Sequence, residues 1–577
     1  MANKQVTLEG RGLLTLHDND HIATGGQGSA YKAGQTVVKL YTDPATMQQG
    51  GMIERLRRLS TLNDPSIVAP RGLVFNDKQV PVGYYMDLVT GEPFAKMFTN
   101  DFRQRLGFSD ENTSTLVDGM RSTMQFAHAH AVCMVDPNEL NWMAVLQGKT
   151  GPEPRIFDTD SWVFDGETPT TVPKMPSIRD WHGHLVSRES DRFAWAIVSF
   201  QLYTGIHPYK GTLDGYRLGE LERRMKDKAS VFTPGIRLNI AVRDFSCIPS
   251  LLREWYEVTF QTDKRSVPPS PFDKRHVTTK AAQVKRITST ASGKLEFHKL
   301  FDGVSDPVIR VFPCGAVLLK SGKLIDHATK RTIGVVSSSE CEVVTADRGW
   351  LIADRDGNGF VFSYTNAASL VNEKLTLPAK GYRIVRYENR MFVITDQGLT
   401  ELKLMMFAKP ILALGKSWGV MINSTRWFDG VGIQDALGAT FVVAPFGTDS
   451  VMSVRVKELD GLTPVAAKSG NRFVCVIAMD NKTGQYVRIE LTFAKDYSGY
   501  TLWQGGAATP DLNMAFLPKG VGATIVDDGE LVIFVPTNGA VKKVPDKDIV
   551  TDMLLGNWED KVVYIRNGAL WSLTLKP

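Results

Sequence analysis

The 577-residue chain predicts a multidomain protein with an α+β N-terminal region and an all-β C-terminal region. Three observations predict this division. In the first half, helical apolar stripes alternate with short strands: GMIERLRRLSTL repeats Ile53, Leu56 and Leu59 at helical spacing, and QTVVKLY reads as a strand. From Ser266 the composition shifts to SVPPSPFDKRHVTTKAAQVKRITSTASGK, rich in Pro, Ser, Thr and Lys, which is linker chemistry. Beyond it the chain reads as one short alternating strand after another. The expected organisation is a first domain at 1–271, a linker at 272–294 and a β domain at 295–577, in a chain too long for a single core.

Within the β domain, GWLIADRDGNGFVFSY, NRMFVITDQGLTEL, NRFVCVIAMDNKTGQYVRIEL, ELVIFVPTNGAVKKV and KVVYIRNGALWSLTL share one form. Each is an apolar strand, a turn with Asp, Asn or Gly, and a second apolar strand. Such hairpins recur roughly every 40 residues, the range of propeller blades, so the expectation is a β-propeller of about six or seven blades, with a pair of β-sandwiches as the alternative. Neither a WD dipeptide nor a kelch signature marks the repeats. In DRDGNG, Asp354, Asp356 and Asn358 alternate as in the first half of a calcium loop, but the twelfth position is Thr365 rather than Glu. The same residues suit a hairpin turn.

The first domain carries its chemistry in an ordered set of landmarks. IATGGQGSAYKA places Gly25, Gly26 and Gly28 where backbone amides can approach phosphates closely; hairpin glycines are the plainer reading. QTVVKLY then presents Lys39, and fifteen residues on Glu54 lies in the predicted helix. MQFAHAHAVCMVDPNELN runs from a helix into a loop with Asp136 and Asn141 five residues apart. An acid there can take a proton from an attacking hydroxyl, and an amide oxygen can ligate a metal that bridges phosphates. PRIFDTDSWVF delivers Asp158 after two apolar residues, with Asp160 two further on; SDRFAWAIVSFQLYTG reads as an apolar helix with Asp191 in its first turn; FQTDKRSVPPSP carries Arg265.

In this order and spacing, residues from about 14 to about 271 resemble a eukaryotic-type protein-kinase domain, nearest to the bacterial and phage kinase-like group that has an "IDxDS" motif and is encoded near tellurium-resistance genes. The resemblance implies a bilobal fold, with a small lobe at about 1–88 and a large lobe at about 89–271, and it implies ATP and Mg2+ as cofactors. By position it gives Lys39 the α- and β-phosphates, Glu54 the pairing with Lys39, Asp136 the role of base, and Asn141 and Asp158 the magnesium. Met86 would be the gatekeeper, Asp87, Leu88 and Val89 the hinge that holds adenine, and Asp191 the brace of the catalytic loop. Departures from the pattern are Ala23 for the first loop glycine, Met134 and Val135 for the His and Arg before the catalytic Asp, Asn138 for a lysine, and Asp160 for a glycine. MPSIRDW replaces the usual Ala-Pro-Glu, leaving Asp180 as a candidate partner for Arg265.

Bulk numbers exclude other classes. With 67 basic and 62 acidic side chains the net charge of +5 gives no electrostatic grip on nucleic acid. RRMKDKAS, around Arg223, reads as a solvated helix face, and the pairs His128/His130 and His182/His184 carry no function. The five cysteines have no paired spacing and read as reduced core residues. The expectation is a cytoplasmic chain with neither a membrane span nor a secretion signal. Three functions stay open: a Ser/Thr-type protein kinase whose propeller selects a protein partner or substrate, a catalytically silent scaffold or interaction protein, or a small-molecule kinase or AMP transferase.

Overall fold

The computed structural model describes residues 4–148, 151–167, 175–273, 293–357, 359–526, 529–550 and 553–576. The expected linker lies almost entirely outside the described residues, as does Asn358.

The N-terminal region begins with a curled antiparallel sheet of seven strands: β1 (Lys4–Leu8), β2 (Gly12–Leu16), β3 (His21–Thr24), β4 (Gly28–Ala33), β5 (Thr36–Tyr41), β6 (Pro70–Phe75) and β7 (Pro81–Asp87), in the order β2-β1-β6-β7-β5-β4-β3. β5 lies inside the sheet between β7 and β4, and Thr36–Lys39 and Tyr41 are all buried, as a strand covered on both faces requires. Gly28 is dictated by packing: a Cβ there would strike the Leu40 carbonyl of β5. Helix α1 (Met52–Leu59) packs on this sheet through Met52 and Leu56, while Leu59 joins the apolar cluster of the helices that follow.

Helices dominate from residue 94: α2 (Phe94–Met97), α3 (Asn100–Leu106), α4 (Asp110–Ala129), α5 (Arg188–Thr204), α6 (Leu221–Lys226) and α7 (Ser250–Gln261). α5 is the pillar of this part. Ser187 caps it by accepting from Ser190 N, Gly205 ends it at φ 78°, and every side chain from Phe193 to Thr204 is buried, so it is apolar all round because it is covered all round. α6 departs from the solvated face expected of it, since Arg224 is buried and donates to the carbonyls of Gly211 and Ala229 while Arg223 stays exposed.

From Leu295 onward the chain is all β. Among the described residues it forms seven four-stranded antiparallel sheets, six of them built in chain order within 308–335, 342–375, 383–418, 425–455, 462–507 and 514–545. The seventh joins the first strand, Leu295–Phe301, to the last three, with Leu295 opposite Leu575, so the two ends of the β region close on each other. The candidate calcium loop is a hairpin: Asp356 pairs with Gly359, and the Asp354 carboxylate accepts from Ser337 N at 2.7 Å and Ser338 N at 3.2 Å. Its oxygens are thus spent on a neighbouring turn. The five cysteines are free thiols. No helix among the described residues is long and apolar enough to cross a membrane.

The two regions share a core. Val465, Phe473, Ile477, Tyr486, Leu512 and Met514 of the β region pack in the same apolar cluster as α2, α4, α5 and α7. Polar contacts reinforce it, among them Asp511 accepting from Asn100 N at 2.7 Å and Asp435 accepting from Thr24 N at 2.9 Å.

Candidate functional site

Four chain segments converge between the sheet and the helices. β5 brings Lys39. The loop after α4 brings Asp136 and Asn141, and short strands β8 (Glu92–Pro93), β9 (Val132–Cys133), β10 (Trp142–Gly148), β11 (Gly151–Ile156) and β12 (Val163–Phe164) hold it. The β10–β11 hairpin pairs Trp142 with Ile156, and Phe157 N donates to Asn141 O at 3.0 Å. That pairing sets Asn141 beside Asp158, the residue after Phe157. Asp158 itself sits at φ 60°, a left-handed conformation that non-glycine residues adopt at some cost.

Lys39 Nζ contacts Asp158 Oδ1 and lies 2.9 Å from Asp160 Oδ2. Asp160 is also the acceptor for the Tyr41 hydroxyl and, at 3.3 Å, for Tyr84. Burial works against charge on Lys39, but Asp158 and Asp160 overcome it and raise the ammonium above its ordinary value. Burial likewise opposes the Asp160 carboxylate, and Lys39 with the Tyr41 hydrogen bond holds it below the ordinary carboxylate range. Two carboxylates against one ammonium leave a surplus negative charge on the side of Asp158, whose side chain is 41% exposed against 2% for Asp160.

The expected Lys39–Glu54 pair does not form. Glu54 is exposed, because α1 starts at Met52 after a left-handed Gly51 and turns Met52, Arg55, Leu56 and Leu59 inward. Arg55, 3% exposed, occupies the inward position and donates to Glu167 at 3.2 Å. Asp160 supplies Lys39 with the counter-ion instead. Sequence reasoning gave Asp160 no part; the available signal was two tyrosines, Tyr41 two residues after the lysine on β5 and Tyr84 on β7.

The Asp136 loop is held from below. Asp191, on α5, accepts from Met134 N at 2.8 Å, Val135 N at 3.2 Å and His128 Nε2 at 2.9 Å. The brace uses backbone amides, so Met134 and Val135 satisfy it as well as His and Arg would. Asp136 Oδ2 accepts from Asn138 Nδ2 at 2.9 Å, and Oδ1 from Met175 N at 3.1 Å. Asn141 donates through Nδ2 to Asp136 O at 2.9 Å, which leaves its Oδ1 for another partner. A buried bidentate pair of Arg265 with Asp180, at 2.7 and 3.0 Å, fixes the segment after Met175.

The glycine loop is a β3–β4 hairpin in which Gly25 N donates to Gly28 O at 2.8 Å; side chains at Gly25 and Gly26 would meet open space. Ile22, Ala30, Val37, Met86, Leu88 and Val89 form one apolar cluster with Phe157 at the back of the cleft. Leu88 N is bonded to Gln35 O, and the Asp87 carboxylate pairs with Arg71, while Val89 N–H and C=O are unbonded among the described residues.

Asn141 Oδ1 and the Asp158 carboxylate are hard-oxygen donors of the kind a divalent cation takes. No group of three or more His, Cys, Asp or Glu among the described residues forms a metal cage by itself. Comparison with protein-family models gives no match. Comparison with curated proteins gives none either.

Proposed function

We propose that residues 4–273 form a bilobal, protein-kinase-like phosphotransferase that uses ATP and Mg2+, and that the C-terminal region is a seven-bladed β-propeller. One observation carries the reading: Lys39 contacts Asp158, the neighbouring Phe157 N donates to Asn141 O, and Asn141 Nδ2 donates to Asp136 O, with Asp191 bracing the loop beneath. In this reading Val89 offers backbone hydrogen bonds to adenine between Ile22, Ala30 and Met86. Lys39 exchanges one carboxylate for the α- and β-phosphates, and Asn141 and Asp158 hold the magnesium. The metal, when bound, neutralises phosphate charge as the terminal phosphoryl leaves. Asp136 orients the acceptor hydroxyl and takes its proton. The acceptor is a Ser or Thr hydroxyl of a protein.

The experiment is mass analysis of acceptors after incubation of the purified chain with Mg-ATP and cell lysate, beside Asp136→Ala. Asp136-dependent additions of about 80 Da support phosphoryl transfer, whereas about 329 Da would mean AMP transfer. A second reading, a silent nucleotide-binding scaffold, is favoured by Lys39 being held by two carboxylates with Glu54 turned outward. Tight ATP binding with no mass addition would select it.

A further inference from the structure

We infer that Thr483 is an acceptor for this cleft, so that the chain phosphorylates its own β region in cis; the inference rests on the phosphotransferase reading. Thr483 lies in the turn that joins strands Phe473–Asp480 and Tyr486–Phe493. That turn packs on the segment from Met175, and the strand that follows it touches the loop that carries Asp136. Gly484, at φ 68°, faces the segment from Met175: a Cβ built on it would lie 2.7 Å from Met175 Sδ and would clash with Ser177 Oγ. Met175 N is the donor to Asp136 Oδ1. Two residues past Gly484, Tyr486 Oη donates to Glu139 Oε1 at 3.4 Å, and Glu139 is three residues beyond Asp136. Lys210, over the Tyr486 ring at 5.2 Å and bonded to Ala507 O at 3.2 Å, pins the adjoining strand.

The turn is thus seated on the segment whose Met175 N donates to Asp136, its outgoing strand is tied to Glu139, and Thr483 is its hydroxyl. The backbone shapes it firmly: Gly484 N donates to Asp480 O at 2.8 Å and Lys482 N to the Asp480 carboxylate at 2.8 Å. Thr483 Oγ1 accepts from Gln485 N at 3.3 Å, which leaves its proton uncommitted among the described residues. Glycine at 484 is what permits so close an approach, since any side chain there would push the turn off Met175 and Ser177.

The step balances. Asp136 Oδ1 releases Met175 N–H and accepts the Thr483 proton; a bond forms between Thr483 Oγ1 and the terminal phosphorus of ATP; the phosphoanhydride P–O bond breaks and ADP leaves. Because donor site and acceptor belong to one chain, the rate is independent of protein concentration.

The test uses the full chain with Mg-ATP, peptide mass mapping over time at several protein concentrations, and the variants Thr483→Val, Thr483→Ser and Asp136→Asn. The expected result is phosphate on the peptide that begins at Thr483, first-order in time, unchanged in rate over a tenfold range of concentration, lost in Thr483→Val and Asp136→Asn and kept in Thr483→Ser. Phosphate elsewhere with Thr483 unmodified, or Thr483 labelled at a rate that scales with concentration, overturns the cis acceptor and leaves the phosphotransferase standing. No transfer to the chain or to added lysate overturns both.

Discussion

At the scale of single residues, the site depends on how one lysine is neutralised. Asp160 binds Lys39 out of contact with water, so Asp160→Asn is expected to destabilise the protein by about 3 kcal/mol, the usual cost of stripping one partner from a buried pair. Its carboxyl lies below the ordinary carboxylate value, so its stabilisation is complete above about pH 4 and is lost as pH falls through the folded value. The acid limb of a melting-temperature profile should therefore be shallower in Asp160→Asn. Glu139 is also raised by burial, with one carboxylate oxygen unpartnered. Stability from its protonated form is present below about pH 4.5 and declines above it, so Glu139→Gln should raise the neutral-pH stability by an amount on the order of 1 kcal/mol, read in urea denaturation. Lys39, Asp136, Asn141 and Asp158 stood out because their spacing is a pattern along the chain, and the fold brings their segments together. Asp160 did not, because its role depends on tyrosines that only folding brings near.

At the scale of elements, the boundaries of local structure followed sequence signals closely where capping chemistry was present. Ser187 and Gly205 enclose an apolar run that could only be a buried helix, and that helix carries Asp191 to the loop. The rotation of α1 was a different matter. Ile53, Leu56 and Leu59 give an apolar stripe, but Met52 with Leu56 and Leu59 gives another, one position earlier, and Gly51 decides between them. A shift of one residue is a rotation of about 100°, which is enough to exchange Glu54 for Arg55 on the inner face. The Arg265–Asp180 pair ties α7's exit to the segment from Met175, both side chains being under 5% exposed. Asp180→Ala should cost about 3–5 kcal/mol by leaving a buried guanidinium unpaired, while Asp180→Ala with Arg265→Met should recover part of the loss in urea denaturation.

At the scale of the whole molecule, the change from mixed to all-β structure was readable from the change in periodicity, and the roughly 40-residue recurrence matches seven four-stranded sheets. What no local pattern could announce is the joint between the halves. Phe473, Ile477 and Met514 read as ordinary strand residues, yet they complete the core beneath α5. The full chain should accordingly melt in one calorimetric transition, and residues 295–577 expressed alone should bind an apolar dye that the full chain excludes. Two resolved transitions would mean that the shared core contributes little.

The central claim is that the cleft around Lys39 and Asp158 transfers phosphate, and it is tested most directly by γ-labelled ATP with magnesium on the purified full chain, beside Asp136→Ala and Asp158→Ala, with lysate protein as additional acceptor. The account predicts label on protein that falls by at least about a hundredfold in each variant, as loss of a general base or a metal ligand requires. Label that is absent from the native chain, or that persists undiminished in both variants, would contradict it.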